Sequence, residues 1–134
     1  MSIREISFPS ANGRDTIKAW SYSPLGKPKA VVQLIHGYGE HSRRYLHMIS
    51  KFNEAGFVVF ADDHLGHGKT GYDGGTLGDP HSGGYMTYLK DEKALHDILL
   101  KRLILSCRIS FSATAGVLCW RVLMRQSTVR ISKV

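Results

Sequence analysis

Two short apolar runs, Ala30-Val31-Val32-Gln33-Leu34-Ile35 and Phe57-Val58-Val59-Phe60-Ala61, constrain this chain more than any other feature. Each has strand length and almost no polar interruption, the pattern of a strand covered on both faces. Between them, Tyr45 to Glu54 sets Leu46, Met48, Ile49 and Phe52 on one side of a helix, and Gly56 follows as a C-terminal cap. Strand, helix and strand in that order predict a β-α-β unit with a parallel pair. Upstream, Ile3 to Phe8 and Thr16 to Tyr22 are β-prone runs joined through Ser10-Ala11-Asn12-Gly13, and Asn-Gly predicts an antiparallel hairpin. From Asp62 to about Tyr85 the chain reads as Gly-rich loop, and Leu89 to Leu100 reads as helix. The expected class is α/β, and there is no internal repeat.

Charge divides the chain at Lys101. Of 18 Lys and Arg, seven (Lys101, Arg102, Arg108, Arg121, Arg125, Arg130 and Lys133) fall in residues 101–134, where no Asp or Glu occurs. Residues 1–100 are therefore balanced at 11 cations and 11 anions, and the whole net charge of +7 belongs to the tail. Two parts follow: 1–100 as the folded domain and 101–134 as a basic tail. A basic excess confined to a tail is weak support for nucleic-acid binding, and no nucleic-acid partner is expected. Leu103, Ile104, Leu118, Trp120, Val122 and Leu123 with interspersed Arg could instead form a basic amphipathic surface for anionic lipid, a peripheral membrane contact. Behind Arg4 and Glu5 no apolar run has signal-peptide length, so a cytoplasmic protein is expected. Cys107 and Cys119 form neither a CxxC pair nor a disulfide framework.

The candidate chemistry lies in two turns. After the first apolar run comes His36-Gly37-Tyr38-Gly39-Glu40-His41-Ser42-Arg43-Arg44-Tyr45, and after the second comes Asp62-Asp63-His64-Leu65-Gly66-His67-Gly68-Lys69-Thr70. Both follow the carboxyl ends of parallel strands, where open α/β sheets bind their ligands. Singly each is a weak signal, because any tight strand-to-helix turn needs glycine. Paired across one β-α-β unit they are much stronger.

The pair resembles the α/β-hydrolase fold of the monoacylglycerol lipase and lysophospholipase family, with its H-G-x-G-E-H-S-x-R-Y and D-x-x-G-H-G-x-S motifs. The first match is complete through Tyr45, and the second departs only at Thr70, where the family has Ser. Residues 1 to about 100 are covered. The resemblance implies the N-terminal portion of an α/β-hydrolase sheet, in a family of serine hydrolases that cleave lipid monoesters through an acyl-enzyme. It implies Tyr38 as an oxyanion donor through its backbone N–H, with Gly37 and Gly39 permitting close approach. His36 would be a hydrogen-bonding residue on the substrate side. Glu40 and Arg44 would face the leaving-group alcohol, or alternatively form a salt bridge bracing the loop. Asp63, His64, Gly66, His67 and Gly68 would shape the second turn.

Two rivals are weaker. A dinucleotide fingerprint would put Glu40 where pyrophosphate belongs and lacks the third glycine, so no cofactor is expected. Asp62, Asp63, His64 and His67 match no metal-ligand spacing, so no metal is expected.

Ester hydrolysis on this fold also needs a serine on a G-x-S-x-G elbow, followed by an acid and a histidine. The 134 residues contain no such elbow, Ser82 sits in Pro80-His81-Ser82-Gly83-Gly84, and no His follows His96. Shifting the tail's codons by one base permits Gly-His-Ser-x-Gly across Ser112-Ala113-Thr114-Ala115-Gly116-Val117, preceded by Tyr-Pro-x-Leu-Pro and an apolar run. The tail is therefore expected to be out of frame, and the form as given inactive. A truncated sheet is also expected to expose unpaired strand edges.

Overall fold

The computed structural model describes residues 1–79 and 83–102 in full, and the backbone of 103–104, 113–115 and 118–124. Strands β1 (Ser2–Pro9) and β2 (Thr16–Ser23) form the antiparallel hairpin, with Pro9 opposite Thr16 as the last pair. Its connection spans residues 10–15, longer than the two-residue turn that Asn-Gly predicts. Asn12 is recruited as a side chain instead: its Oδ1 accepts the N–H groups of Arg14 at 2.8 Å and Asp15 at 2.9 Å. Gly13 alone turns left-handed, with φ +72°.

Strand β3 (Ala30–Leu34) is buried throughout, and β4 (Phe57–Asp63) pairs with it in parallel from Ala30 opposite Phe57 to Leu34 opposite Ala61. Between them a 3-10 turn (Ser42–Tyr45) leads into helix α1 (Leu46–Glu54), and Gly56 follows it at φ +92°. The other edge of β4 pairs antiparallel with β2, which attaches the hairpin to the parallel unit. Side chains then alternate between two cores. Val32, Leu34, Val59 and Ala61 pack with Trp20 and Tyr22 beneath Ile49 of α1. Val31, Val58 and Phe60 pack with Ile6, Phe8 and Ile17 against Leu95 and Leu99 of helix α3 (Gly84–Ile104). Gln33, the polar residue within β3, falls on the α3 face, where it donates to the Glu92 carbonyl at 3.1 Å and accepts from His96 Nδ1 at 3.2 Å. From the same helix Asp91 accepts Ser10 Oγ–H and Ala11 N–H, both at 2.7 Å, and so fastens the hairpin turn.

Two elements differ from expectation. Within the segment read as Gly-rich loop, residues Gly68–Gly74 form a short helix, α2. Asp63 Oδ2 accepts the Lys69 N–H at 2.7 Å, giving the first turn a partner that local propensity does not reveal. Gly71 lets the helix lie on the preceding turn, since a Cβ there would meet the Gly66 carbonyl carbon at 2.7 Å. The free edge of β3 is also covered: β5 (Ala113–Ala115) and β6 (Leu118–Met124) complete the order β1-β2-β4-β3-β6-β5, with β6 antiparallel to β3 from Ala30 opposite Met124 to Leu34 opposite Trp120. Cys107 lies outside the described residues, as do the side chains of Cys119 and of the apolar tail residues from Leu103 onward.

Removing the fully buried Leu95 side chain, Leu95→Ala, is expected to cost about 2–5 kcal/mol in urea unfolding. Leu46, 41% exposed on α1 across the sheet, should lose less than about 1 kcal/mol as Leu46→Ala.

Candidate active site

The parallel register of β3 and β4 delivers both turns to one end of the sheet. Asp63, the buried last residue of β4, ties them together: Oδ1 accepts Ser42 N–H at 2.8 Å and Ser42 Oγ–H at 2.7 Å, while Oδ2 accepts Lys69 N–H. Gly68 stands against this carboxylate, and a Cβ there would sit 2.1 Å from Asp63 Oδ2. Thr70 keeps the role that a serine hydroxyl would fill, donating to Asp63 O at 2.5 Å and accepting Lys18 N–H at 2.8 Å. The departure from the family motif therefore preserves the hydrogen bonds.

His36 is buried, and its partners assign its tautomer. Nε2 accepts the His64 N–H at 3.0 Å, so Nδ1 carries the proton and donates to Gly37 O at 2.9 Å. Burial and the neighbouring His64 charge lower its pKa to about 4, which keeps the ring neutral. Gly37 O also accepts Glu40 N–H at 3.2 Å. In a trans peptide the N–H points opposite to the C=O. With Gly37 O engaged by two donors inside the turn, the Tyr38 N–H is directed away from it, and among the described residues no acceptor takes that N–H. The Tyr38 side chain stands 84% exposed beside it.

Glu40 is fixed within the loop. It accepts Tyr45 O–H and the Gly37 N–H on Oε2, and the Tyr45 hydroxyl holds it below the usual carboxylate range. Arg44 approaches Glu40 only to 3.8 Å and its side chain is 60% exposed. Glu40 thus braces the loop, while Arg44 remains mostly in solvent. The loop reaches across to the second turn through Gly39, whose N–H donates to His67 Nε2 at 3.1 Å. Tyr38, Glu40, His41, His67 and Leu77 line a cleft of about 390 Å³ between the turns.

Beneath this surface His64 joins both turns to α3. Its ring stacks on His36 with centroids 3.7 Å apart, and Nε2–H donates to His36 O at 3.1 Å. Nδ1–H faces Asp62 Oδ2 and Glu92 Oε1, each at 3.1 Å. Burial opposes a charge on His64, but Asp62 and then Glu92 override it and raise its pKa to about 11. Burial and then the Asp62 charge push Glu92 up to about 7, while His64 holds Asp62 below its usual range against its own burial. Donor atoms of Asp62, His64 and Glu92 lie within 4.8 Å of one another, close enough for a cation. The His64 Nδ1–H bonds Asp62 Oδ2, while Glu92 Oε1 sits at ion-pair distance without a hydrogen-bond partner among the described residues. Of the four residues considered as ligands from sequence, Asp63 and His67 are engaged elsewhere, and Glu92, supplied by a distant helix, gave no sequence signal.

A family model described as serine aminopeptidase, S33, matches residues 26–112, which include both turns. The chain belongs to this α/β-hydrolase family. Monoacylglycerol lipase of Mycolicibacterium smegmatis is 44% identical over 68 residues, covering 50% of this chain and 24% of that protein. Human monoglyceride lipase is 43% identical over 49 residues, covering 37% and 16%. A thermostable carboxyl esterase from Bacillus coagulans, solved in complex with glycerol, is 59% identical with a TM-score of 0.71 across 76% of this chain and 33% of that one. The chain spans a quarter or less of the length of the two lipases.

The titrating cluster sets a pH dependence. Glu92 binds its proton up to about pH 7 when folded, against 4.5 for an ordinary glutamate carboxyl, so this group's contribution to stability falls as pH rises through that window. His64, at about 11 against 6.5, extends the fall to higher pH. The urea midpoint is expected to hold nearly level from about pH 5 to about pH 6.5, where the neutral His36 ring (about 4 against 6.5) gains what Glu92 loses, and to decline from there to about pH 10, and Glu92→Gln should turn the level portion into a rise. A wild-type midpoint that rises between about pH 7 and about pH 10 would contradict the charge assignment.

Proposed function

We propose that this chain carries the oxyanion and alcohol side of a serine ester hydrolase for lipid monoesters, monoacylglycerols or lysophospholipids, and that the 134-residue form has no esterase turnover of its own. The observation that supports the reading is the Tyr38 N–H, held outward by the two hydrogen bonds on Gly37 O and left without an acceptor among the described residues. A donor so fixed is suited to the negative charge that develops on an ester carbonyl oxygen, and loss of one such donor typically costs a hundred- to a thousandfold in rate, roughly. Glu40 and Arg44 lie beside the same loop, with Glu40 positioned to shape it and Arg44 free to reach a polar head group. The cleft between the turns has a largely apolar lining, consistent with an acyl or glyceryl ester. The lipases and the glycerol-bound esterase among its relatives support the same substrate class.

Turnover needs more than an oxyanion donor: a nucleophile attacks, a histidine accepts its proton and later protonates the leaving alcohol, and an acid orients that histidine. No G-x-S-x-G and no histidine after His96 occur in these residues. We therefore also propose that residues 101–134 are encoded one base out of register, the intended sequence being the Gly-His-Ser-x-Gly string and its continuation.

The purified 134-residue chain should not hydrolyse p-nitrophenyl butyrate above background, and a serine-directed phosphonate should not label it. Phosphonate-sensitive hydrolysis would overturn the inactivity. Sequencing matched genomic DNA and transcript from codon 90 onward should reveal a long open frame with the elbow and later Asp and His codons. If the frame as given is confirmed and no such continuation exists, the register proposal fails.

A further inference from the structure

We infer that His67 is a positioning residue for the oxyanion loop: its Nε2 lone pair takes the Gly39 N–H and holds the loop of the first turn against the second before any substrate arrives. The inference rests on the reading of Tyr38 as the oxyanion donor, but its bond is observable without catalysis. Three sets of contacts fix the loop. The His36 Nδ1–H and Glu40 N–H bonds to Gly37 O lie within the first turn and set the direction of the Tyr38 N–H, while His64 and Asp63 hold the two ends of that turn at His36 and Ser42. Between those ends, the bond to Gly39 is a further tie from the second turn, at 3.1 Å. Gly39 sits at φ +76° and Tyr38 is 84% exposed, so packing of the Tyr38 side chain does little to hold this stretch.

His67 is itself prepared for the task. Its Nδ1–H donates to Leu65 O at 2.8 Å, which places the proton on that nitrogen and leaves Nε2 as an acceptor. The Tyr38 ring meets it edge-on at 5.4 Å, and Tyr88 from α3 at 6.2 Å on another side. A doubly protonated ring could not accept the bond, so the tie requires neutral imidazole. The titratable groups around it are His36, Tyr38, Glu40 and His41 from the first turn, His64 from its own, and Tyr88 from α3. An oxyanion loop held in this way bears less of its ordering cost at the moment of reaction.

An N–H···N hydrogen bond transmits a scalar coupling between its two nitrogens, which a purely steric neighbour cannot do. On the full 134-residue chain labelled with nitrogen-15, a coupling between the Gly39 amide and His67 Nε2 is expected and should vanish when the ring is doubly protonated. Hydrogen exchange read by mass spectrometry on peptides spanning 37–41 supplies a second measurement. His67→Phe, which removes the acceptor, should speed Gly39 exchange about three- to tenfold, the range a net hydrogen bond implies. His67→Gln, whose Oε1 reaches the same place, should restore most of the protection. Absence of the coupling with both signals assigned, or unchanged Gly39 exchange in His67→Phe, would overturn the inference. If His67→Phe loosens the whole β-sheet, the wild-type coupling decides. Because neither readout involves an ester, a chain that proves inactive for every substrate leaves this test intact, and a failed coupling leaves the esterase reading to its own assay.

Discussion

The Asp63 carboxylate is the constraint on which the site depends. Its oxygens accept three donors: the N–H and hydroxyl of Ser42, at the start of the 3-10 turn, and the N–H of Lys69, in the first turn of α2. These two helical starts belong to different turns, so the carboxylate sets their separation as well as satisfying donors that helix geometry leaves without partners. A buried carboxylate is costly unless hydrogen-bonded in full, and the three bonds answer that cost with groups that would otherwise need partners of their own. Gly68 follows from the same requirement, since any side chain there would occupy the space of Oδ2.

Below that bridge, charge is used to keep a neighbouring ring neutral. Asp62 and Glu92 hold His64 as a cation, and His64 in turn stacks on His36 and disfavours a second positive charge. The neutral His36 then has one proton, held on Nδ1 because Nε2 is already accepting the His64 N–H. That proton goes to Gly37 O, and the planar peptide carries its effect to Tyr38 N–H on the far side.

Much of this arrangement was legible in the sequence, for a physical reason. Buried parallel strands admit few polar residues, so Ala30–Leu34 and Phe57–Ala61 stand out, and the glycine-marked turns that follow them must lie at one end of the sheet. The bounds of β4 ran further than the apolar run because Asp62 and Asp63 are strand residues, Asp62 facing His64 two residues on and Asp63 taking donors from Ser42 and Lys69. Helix α2 was hidden for a related reason: Gly68, Gly71 and Gly74 argue against a helix locally, and the contacts that favour it come from Asp63 and Gly66. Glu92 was invisible because a carboxylate on a helix with Lys90, Asp91 and Lys93 around it reads as solvated. Only the packing of α3 across β3 turns it inward toward Gln33 and His64.

The direction of β6 bears on what the chain can do. A nucleophile elbow placed by this fold follows a strand whose carboxyl end lies beside the oxyanion loop, which requires that strand to run parallel to β3. Here the strand beside β3 runs the other way: Trp120 lies opposite Leu34, at the end where the first turn begins, and Met124 lies opposite Ala30 at the far end. Antiparallel pairing satisfies the backbone of the β3 edge as well as parallel pairing would, so edge protection and catalytic assembly are separable demands on the same position. In this chain the first demand is met by an antiparallel strand.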